Sequence, residues 1–456
     1  MYKVLSFVAA LGLLLLADAK SGKKHNPFKG IEFNKHFKSR LDESSLQFLF
    51  IVARAGEIFP DNYMMKADTN YEYKNYGFPA GELNKNGKTS MYELGDKIKK
   101  MYPNFLNKQA TRKNLLQVTA VGSEYTLSTR EAALLVLKGL TRKDKKESVK
   151  IRKWSAKQLS TTRNDEFTDA ASNFYSDCPN YQKEYNQALT KEFFKPNVKT
   201  RLERLIEIGK SKGDEQNVID MLRKDTDDNT KRLIKSLNEN ADANITVENL
   251  TPLRDLYELY CSSDLSNLPP PKWLDADLWD SFHLLMRRYV NAIYSTEKLR
   301  LLSGGPIVKY FLNKLEDKRK GKLEPCDTKL LLHIGYDSTV TALFAALAGK
   351  KGFKRLGDQY LLKTMRAYEG GMFIIEAHET DSPYDYWLRM LYSEDLHAPV
   401  YEVASVECKY PCSFRQLKKN LSEIAVDKEK WLQECNKDHK NGKTYRKTIL
   451  KRVKRS

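Results

Sequence analysis

Residues Leu46-Gln47-Phe48-Leu49-Phe50-Ile51-Val52-Ala53 run as an apolar stretch, with one polar exception, into Arg54-Ala55-Gly56-Glu57-Ile58-Phe59-Pro60. An apolar run of this length that meets glycine and proline is the pattern of a fully buried strand ending in a sharp loop. In an open α/β sheet, ligands sit beyond the carboxyl ends of such strands. Arg54 is therefore expected to point at a pocket.

The rest of the chain alternates in a compatible way. Gly81-Glu82-Leu83-Asn84-Lys85-Asn86-Gly87-Lys88 reads as a turn, and Met91, Leu94, Ile98 and Met101 follow at helical spacing. A second strand is expected over Leu115 to Val121, then Gly122-Ser123-Glu124-Tyr125, then a helix through Ala132, Ala133, Val136, Leu137 and Leu140. Leu330 to Gly335 reads as another buried strand, followed by Tyr336-Asp337-Ser338-Thr339, where Ser338 or Thr339 is expected to cap a helix. A last strand is expected over Met372 to Ala377, with His378 at its end.

Between about Thr161 and Pro325 helical patterns dominate. Leu202, Leu205, Ile206 and Ile208 share one helical face, as do Leu233, Ile234 and Leu237, while Asp225 to Asp242 as a whole looks loosely structured.

Lys3 followed by the apolar run Val4 to Leu16 and by Ala17-Asp18-Ala19 has the form of a cleaved leader, which implies a secreted protein. No later stretch approaches that hydrophobicity, so no transmembrane segment is expected. The leader carries one lysine and one aspartate, so its removal leaves the formal charge of +19 unchanged. The excess thickens at both ends: Lys20, Lys23, Lys24, Lys29, Lys35, Lys38 and Arg40 precede Asp42 with only Glu32 against them, and nine Lys or Arg lie between Lys437 and Ser456. Such ends attract polyanions such as heparin-like glycans or anionic surfaces, or serve as solubilising tails. No signature of sequence-specific nucleic-acid reading accompanies them.

Six cysteines, Cys178, Cys261, Cys326, Cys408, Cys412 and Cys435, suit disulfides in a secreted chain, with fifteen pairings open to counting alone. No metal-type Cys-x-x-Cys pair occurs, and neither a metal nor a cofactor is expected. Asn244, Asn249 and Asn420 head glycosylation sequons. Oligomeric state is left open.

The Arg54 to Pro60 segment resembles the Arg-His-Gly-x-Arg-x-Pro signature of the histidine acid phosphatases, and the three following landmarks come in that family's order. The resemblance spans about Leu46 to Cys435. It implies a three-layer α/β/α core with a mixed, mostly parallel central sheet and an inserted α-helical cap. Residues 44–160 and 326–435 would form the core and 161–325 the cap, with a leader at 1–19, a basic arm at 20–43 and a basic tail at 436–456. The resemblance further implies Cys178–Cys435 and Cys408–Cys412 bridges, which leaves Cys261 and Cys326 for each other. Leu301-Leu302-Ser303-Gly304-Gly305-Pro306 resembles the family's Gly-Gly-Pro helix start.

Four positions depart from the family's catalytic set. Ala55 stands at the nucleophilic histidine, Ile58 at a second arginine, Gly122 at a third arginine and Tyr336 at a second histidine, while Arg54 and Asp337 match. Arg130 lies within a helix and is expected at the surface, and His333 is out of register with the pocket. Alanine neither accepts a proton nor forms a phosphoryl intermediate, so no phosphatase activity is expected unless another group, His378 among them, replaces the nucleophile. Glu57 and Glu124 add negative charge where two arginines are missing, and Tyr125 and Tyr336 offer rings, which suits an amine paired with Asp337. Arg54 would instead suit the carboxylate of a lipid mediator. In its leader, charge and altered residues the chain is similar to the secreted salivary acid phosphatase-like proteins of blood-feeding insects, which implies sequestration of biogenic amines or leukotrienes. The reading from another class is a binder of polyanions or membrane surfaces through the basic ends, and a third is residual phosphatase.

Overall fold

The computed structural model describes residues 42–70, 77–106, 116–120, 127–141, 178–194, 228–243, 245, 251–355, 361–362, 366–382, 385–406, 408 and 410–436. The leader, nearly all of the basic arm, the basic tail, Gly122, Glu124, Tyr125 and the sequons at Asn244 and Asn249 lie outside the described residues. In chain order the elements are β1 (Leu46–Arg54), α1 (Lys85–Met101), β2 (Leu116–Ala120), α2 (Leu127–Thr141), α3 (Pro179–Phe194), α4 (Asp228–Ala241), α5 (Thr251–Leu265), α6 (Ala276–Ile293) and α7 (Glu297–Arg319). They continue as β3 (Leu330–Gly335), α8 (Asp337–Ala348), β4 (Phe353–Arg355), β5 (Leu361–Leu362), β6 (Met372–Glu379), β7 (Tyr386–Ser393), β8 (Tyr401–Ser405), β9 (Cys412–Ser413), α9 (Phe414–Asn420) and α10 (Lys428–Asn436).

One mixed sheet runs in the order β2-β3-β1-β6-β7-β8-β4-β5, with β9 beside β7. Parallel pairing joins β2, β3 and β1, and the strands from β6 onward pair antiparallel. The pleat of β1 divides the core. Phe48, Phe50 and Val52 face a cluster containing Phe311 and Leu315 of α7, Val340 and Phe344 of α8 and much of the cap. Leu49, Ile51 and Ala53 face a second cluster with Met91, Leu94 and Ile98 of α1 and Val136 and Leu137 of α2. This alternation makes three layers, because successive side chains of a strand point to opposite faces.

Helices α3 to α7 lie in the stretch expected as a cap, 161–325, but α7 packs on the core sheet, with the Phe311 ring 5.1 Å from that of Phe50 in β1. Asp228–Ala241 is helical rather than loosely structured: Leu233, Leu237 and Ala241 recur on one buried face, and that packing outweighs the poor propensity of its asparagines. The Gly-Gly-Pro segment also differs from expectation. It lies inside α7, which starts earlier at Glu297 and is capped by Thr296, whose side chain accepts from the Leu299 N–H at 3.1 Å. Pro306 offers no N–H to the Leu302 carbonyl. The indole Nε1 of Trp431 donates to that carbonyl instead, at 2.7 Å. Tyr336, not Ser338 or Thr339, is the N-cap of α8, and the Thr339 hydroxyl in the first turn accepts from the Tyr336 N–H at 3.4 Å.

Cys178–Cys435 and Cys408–Cys412 are bonded, the first closing a separation of 257 residues. The expected third bridge is absent: Cys261 and Cys326 are free thiols. Cys261 lines the cavity at the carboxyl ends of the strands, whereas Cys326 precedes the amino end of β3. The six residues of β3 span roughly 20 Å, well beyond the ~7 Å Cα separation a disulfide tolerates. Asn420, whose sequon is described, ends helix α9, and its side-chain carbonyl accepts from Gln416 at 2.8 Å. Among the described residues no helix is long and apolar enough to cross a membrane.

The loop after β1 is held by close backbone packing against the start of α1. A Cβ added at Gly56 would sit 2.4 Å from the Gly87 carbonyl oxygen, and one at Gly87 would sit 2.2 Å from the Glu57 oxygen. Only hydrogen fits at either position. Gly87→Ala is expected to cost about 1–3 kcal/mol in denaturant unfolding, because the conflict is with backbone on both sides. The free cysteines give a second check: thiol titration of the native protein should label exposed Cys326 promptly and Cys261 only on unfolding, and a denatured chain with no reactive thiol would show that the two are bonded after all.

Candidate functional site

The carboxyl ends of β1 and β3 lie side by side, with Arg54 opposite Gly335 in register. The Arg54 N–H donates to the Gly371 carbonyl at 2.8 Å and the Ala55 N–H to the Gly335 carbonyl at 2.7 Å, so the turn leaves the sheet in a fixed direction. A cavity of about 320 Å³ opens there, lined by Arg54, Ala55, Glu57, Ile58, Tyr336 and Asp337 among others. A second cavity of about 920 Å³ extends beneath the cap helices, and the two share Asp61, Met64, Glu258, Tyr336 and Asp337. The fold brings Arg54, Glu57, Tyr336 and Asp337 together on one cavity.

Ala55 is 7% exposed and presents a methyl group to the cavity. Ile58 contributes an apolar side chain, while its carbonyl accepts from the Ser262 hydroxyl at 2.5 Å and its backbone bridges Leu83. These contacts tie the loop to α5. Arg130 is exposed on α2. Among the described lining residues of both cavities there is no histidine.

The two histidines weighed as substitutes are committed elsewhere. His333 is buried on β3, its ring 5.2 Å from Phe50 and 5.4 Å from Tyr310, and burial, then Lys314, holds its pKa down to about 3. His378 pairs with Leu46 at the opposite end of β1, roughly 25 Å from Arg54 at the usual rise of a strand. There its ring bonds the Glu376 carboxylate and the Ser45 hydroxyl, each at 2.9 Å, so the idea of His378 as a replacement nucleophile is corrected by its place in the sheet.

The arginines of the site are occupied by the protein's own acceptors. Arg54 donates through Nη1 to the Ala367 carbonyl at 3.3 Å and lies 3.3 Å through Nη2 from Glu57 Oε1. Burial alone would lower its pKa; the Glu57, then the Asp337 and Glu258 carboxylates outweigh burial and raise it. Arg254 pairs with Asp255 at 2.8 Å, and Arg366 lies 3.7 Å from Glu258 with its guanidinium over the Tyr257 ring. Asp337, at the junction of the two cavities, receives no hydrogen bond or ion pair from any described residue.

Burial raises the pKa of Glu57 against the pull of Arg54, and burial followed by the nearby Asp337 raises that of Glu258. Among the described residues six carboxyl groups, Glu57, Asp61, Glu82, Asp255, Glu258 and Asp337, line the joined cavities against three arginines. That balance is acidic inside a chain whose formal charge is +19. Asp61, Asp255, Glu258, Arg254 and Arg366 went unnoticed in the sequence, as did the wall formed by Tyr181, Tyr185, Tyr289 and Tyr294. The spacing Arg254-Asp255-x-x-Glu258 on a helix with Leu253, Leu256 and Leu259 buried was the available signal. Among the described residues no group of three His, Cys, Asp or Glu is placed to hold a metal ion.

No curated protein matches the chain in sequence. Among solved structures, the phytase from Citrobacter braakii aligns with a TM-score of 0.52 and 16% identity over 86% of this chain and 99% of that one. Hafnia alvei phytase in its apo form gives 0.51 and 11% over 86% and 98%, and Klebsiella sp. ASR1 phytase 0.50 and 14% over 84% and 96%. At such identities the likeness concerns the fold. The family profile described as histidine phosphatase superfamily (branch 2) matches residues 20–393, most of the chain, and the protein belongs to that superfamily.

Proposed function

We propose that the protein is a secreted, non-hydrolytic member of the superfamily that sequesters a small organic cation, an amine of the biogenic type, at Asp337. The single observation that carries this reading is the unpaired Asp337 carboxylate at the junction of two cavities in which every arginine already has a carboxylate partner. An ammonium group supplies the charge-assisted hydrogen bonds that Asp337 lacks. Glu258 reaches the same junction from the cap. Tyr336 and the tyrosine wall offer aromatic faces and apolar surface to the body of the ligand.

The same features weigh against phosphoryl transfer. That chemistry needs a nucleophile and concentrated positive charge at the transferring group, whereas Ala55 supplies a methyl group and the cavity is lined by more carboxyl groups than arginines. A lipid mediator anchored by its carboxylate would have to compete with Glu57 for Arg54, so the amine reading is preferred over the leukotriene one.

Calorimetric titration with serotonin, histamine, noradrenaline and a cysteinyl leukotriene tests this reading directly: binding of at least one amine is expected, and no heat from any of the three would sink it. Asp337→Asn should weaken the amine roughly tenfold or more, the scale of a charge-assisted bond of about 1.5–3 kcal/mol. p-Nitrophenyl phosphate should show no turnover, and hydrolysis abolished by Asp337→Asn would revive the enzyme reading. Because a bound cation favours the ionised carboxylates, and burial raises the pKa of Glu57 and Glu258, affinity should fall as pH is lowered from about 7.5 to about 5.5. The decline should begin above the ordinary carboxylate range of ~4.

A further inference from the structure

We infer that Glu57 sets the sign of charge accepted by the strand-end cavity: it withholds the Arg54 guanidinium from oxyanions, and neutralising Glu57 converts the cavity into an oxyanion site. This rests on the amine-binding reading only in placing the ligand in the same cavity.

The argument begins with the donors of Arg54. Nη1 is spent on the Ala367 carbonyl and Nη2 faces Glu57 Oε1 at 3.3 Å. Glu57 is 5% exposed, so its carboxylate has little room to swing away, and its backbone N–H donates to Glu369 Oε1 at 3.3 Å, which fixes the main chain from which it projects. Among the carboxylates acting on Arg54, Glu57 exerts the largest pull, ahead of Asp337 and Glu258. A guanidinium engaged on both Nη atoms has fewer donors free for the paired contacts to a carboxylate, sulfate or phosphate that make arginine an oxyanion ligand, and the adjacent carboxylate repels such a ligand.

The strand-end cavity also carries groups that suit an anion, beside the carboxyl groups of Asp61, Glu82, Glu258 and Asp337. Ser128 and Thr129, in the first turn of the 15-residue helix α2, line it opposite Arg54. Hydroxyls and the positive end of a helix favour negative charge there. Arg54 is the one cation among the described residues lining this cavity, and Glu57 is the carboxylate paired with it. The groups bearing on Glu57 are Arg54 from β1, Asp337 from α8, and Glu369 and Arg366 from the segment leading into β6. All of these remain when only residue 57 is changed.

The experiment compares inorganic sulfate and phosphate binding, by calorimetry and thermal shift, in the full chain and in Glu57→Gln, Glu57→Ala and the double variant Arg54→Gln/Glu57→Gln. Glu93→Gln, on an exposed position of α1, makes the same change in net charge away from the cavity. Sulfate affinity is expected to rise at least about tenfold in Glu57→Gln or Glu57→Ala, to stay at the wild-type level in Glu93→Gln and to fall back in the double variant, which leaves no buried charge unpaired. Glu57→Ala covers the case in which the glutamine amide oxygen keeps hold of Arg54. Protonation should act as substitution does: wild-type sulfate affinity rises as pH falls, more steeply than that of Glu57→Gln, in which the other carboxyl groups of the cavity are unchanged. The inference is overturned if both residue-57 variants bind sulfate no better than wild type, if the gain survives loss of Arg54, or if the two pH profiles coincide. A wild-type protein that ignores every amine overturns the proposed function alone and leaves the sulfate result standing.

Discussion

Strand β1 is buried on both faces and paired on both edges, and the rest of the molecule is arranged by that fact. Its backbone is taken up by β3 on one side and β6 on the other, and its alternating side chains fill two separate cores. At about 25 cal/mol per Å² of apolar surface removed from water, those side chains make the strand costly to displace. Chemistry is thus confined to the point where the chain escapes the sheet, at Arg54 and Ala55. Gly56 and Gly87 then press the escaping loop against α1, which leaves a single exit direction.

The contrast between the whole chain and its cavity follows from where charge can be tolerated. Lysines and arginines on a solvated surface cost little, and a formal charge of +19 spread over 456 residues is readily screened. Inside the cavity water is scarce and every charge needs a local partner. The arginines there meet the requirement by pairing with Glu57, Asp255 and Glu258. Asp337 makes no ion pair of that kind with a described residue and meets the requirement through the fields of Arg54 and Arg366. Within a Debye length of about 8 Å the local charges of the cleft outweigh the chain's long-range field.

Much of this was legible in the sequence where the signal is local. The apolar run into Arg54-Ala55-Gly56, the Leu330–Gly335 strand leading into Tyr336 and Asp337, and the strand before His378 each announce themselves by pattern, and the structure places them adjacent in one sheet. What was not legible depends on contacts between distant segments. Pro306 reads as a helix start because proline normally is one; only Trp431, over a hundred residues away, satisfies the carbonyl it leaves open. The family resemblance left Cys261 and Cys326 to pair with each other, yet the length of β3 keeps them at opposite ends of the sheet. Glu258 lies on a helix where a carboxylate facing solvent and one facing a cavity have the same spacing, and the docking of cap on core decides between them.

Arg54 and Glu57 also show why the altered positions belong together physically. A guanidinium buried at the end of β1 must be compensated, and an oxyanion ligand is one way to do so. When the cavity holds no such ligand, an uncompensated buried charge would cost several kcal/mol. Glu57, three residues along the same turn and with its main chain fixed by its N–H to Glu369, supplies the compensation permanently. Once it does, an arginine at position 58 or a protonated histidine at position 336 would add positive charge close to Arg54. An apolar Ile58 and an aromatic Tyr336 avoid that repulsion.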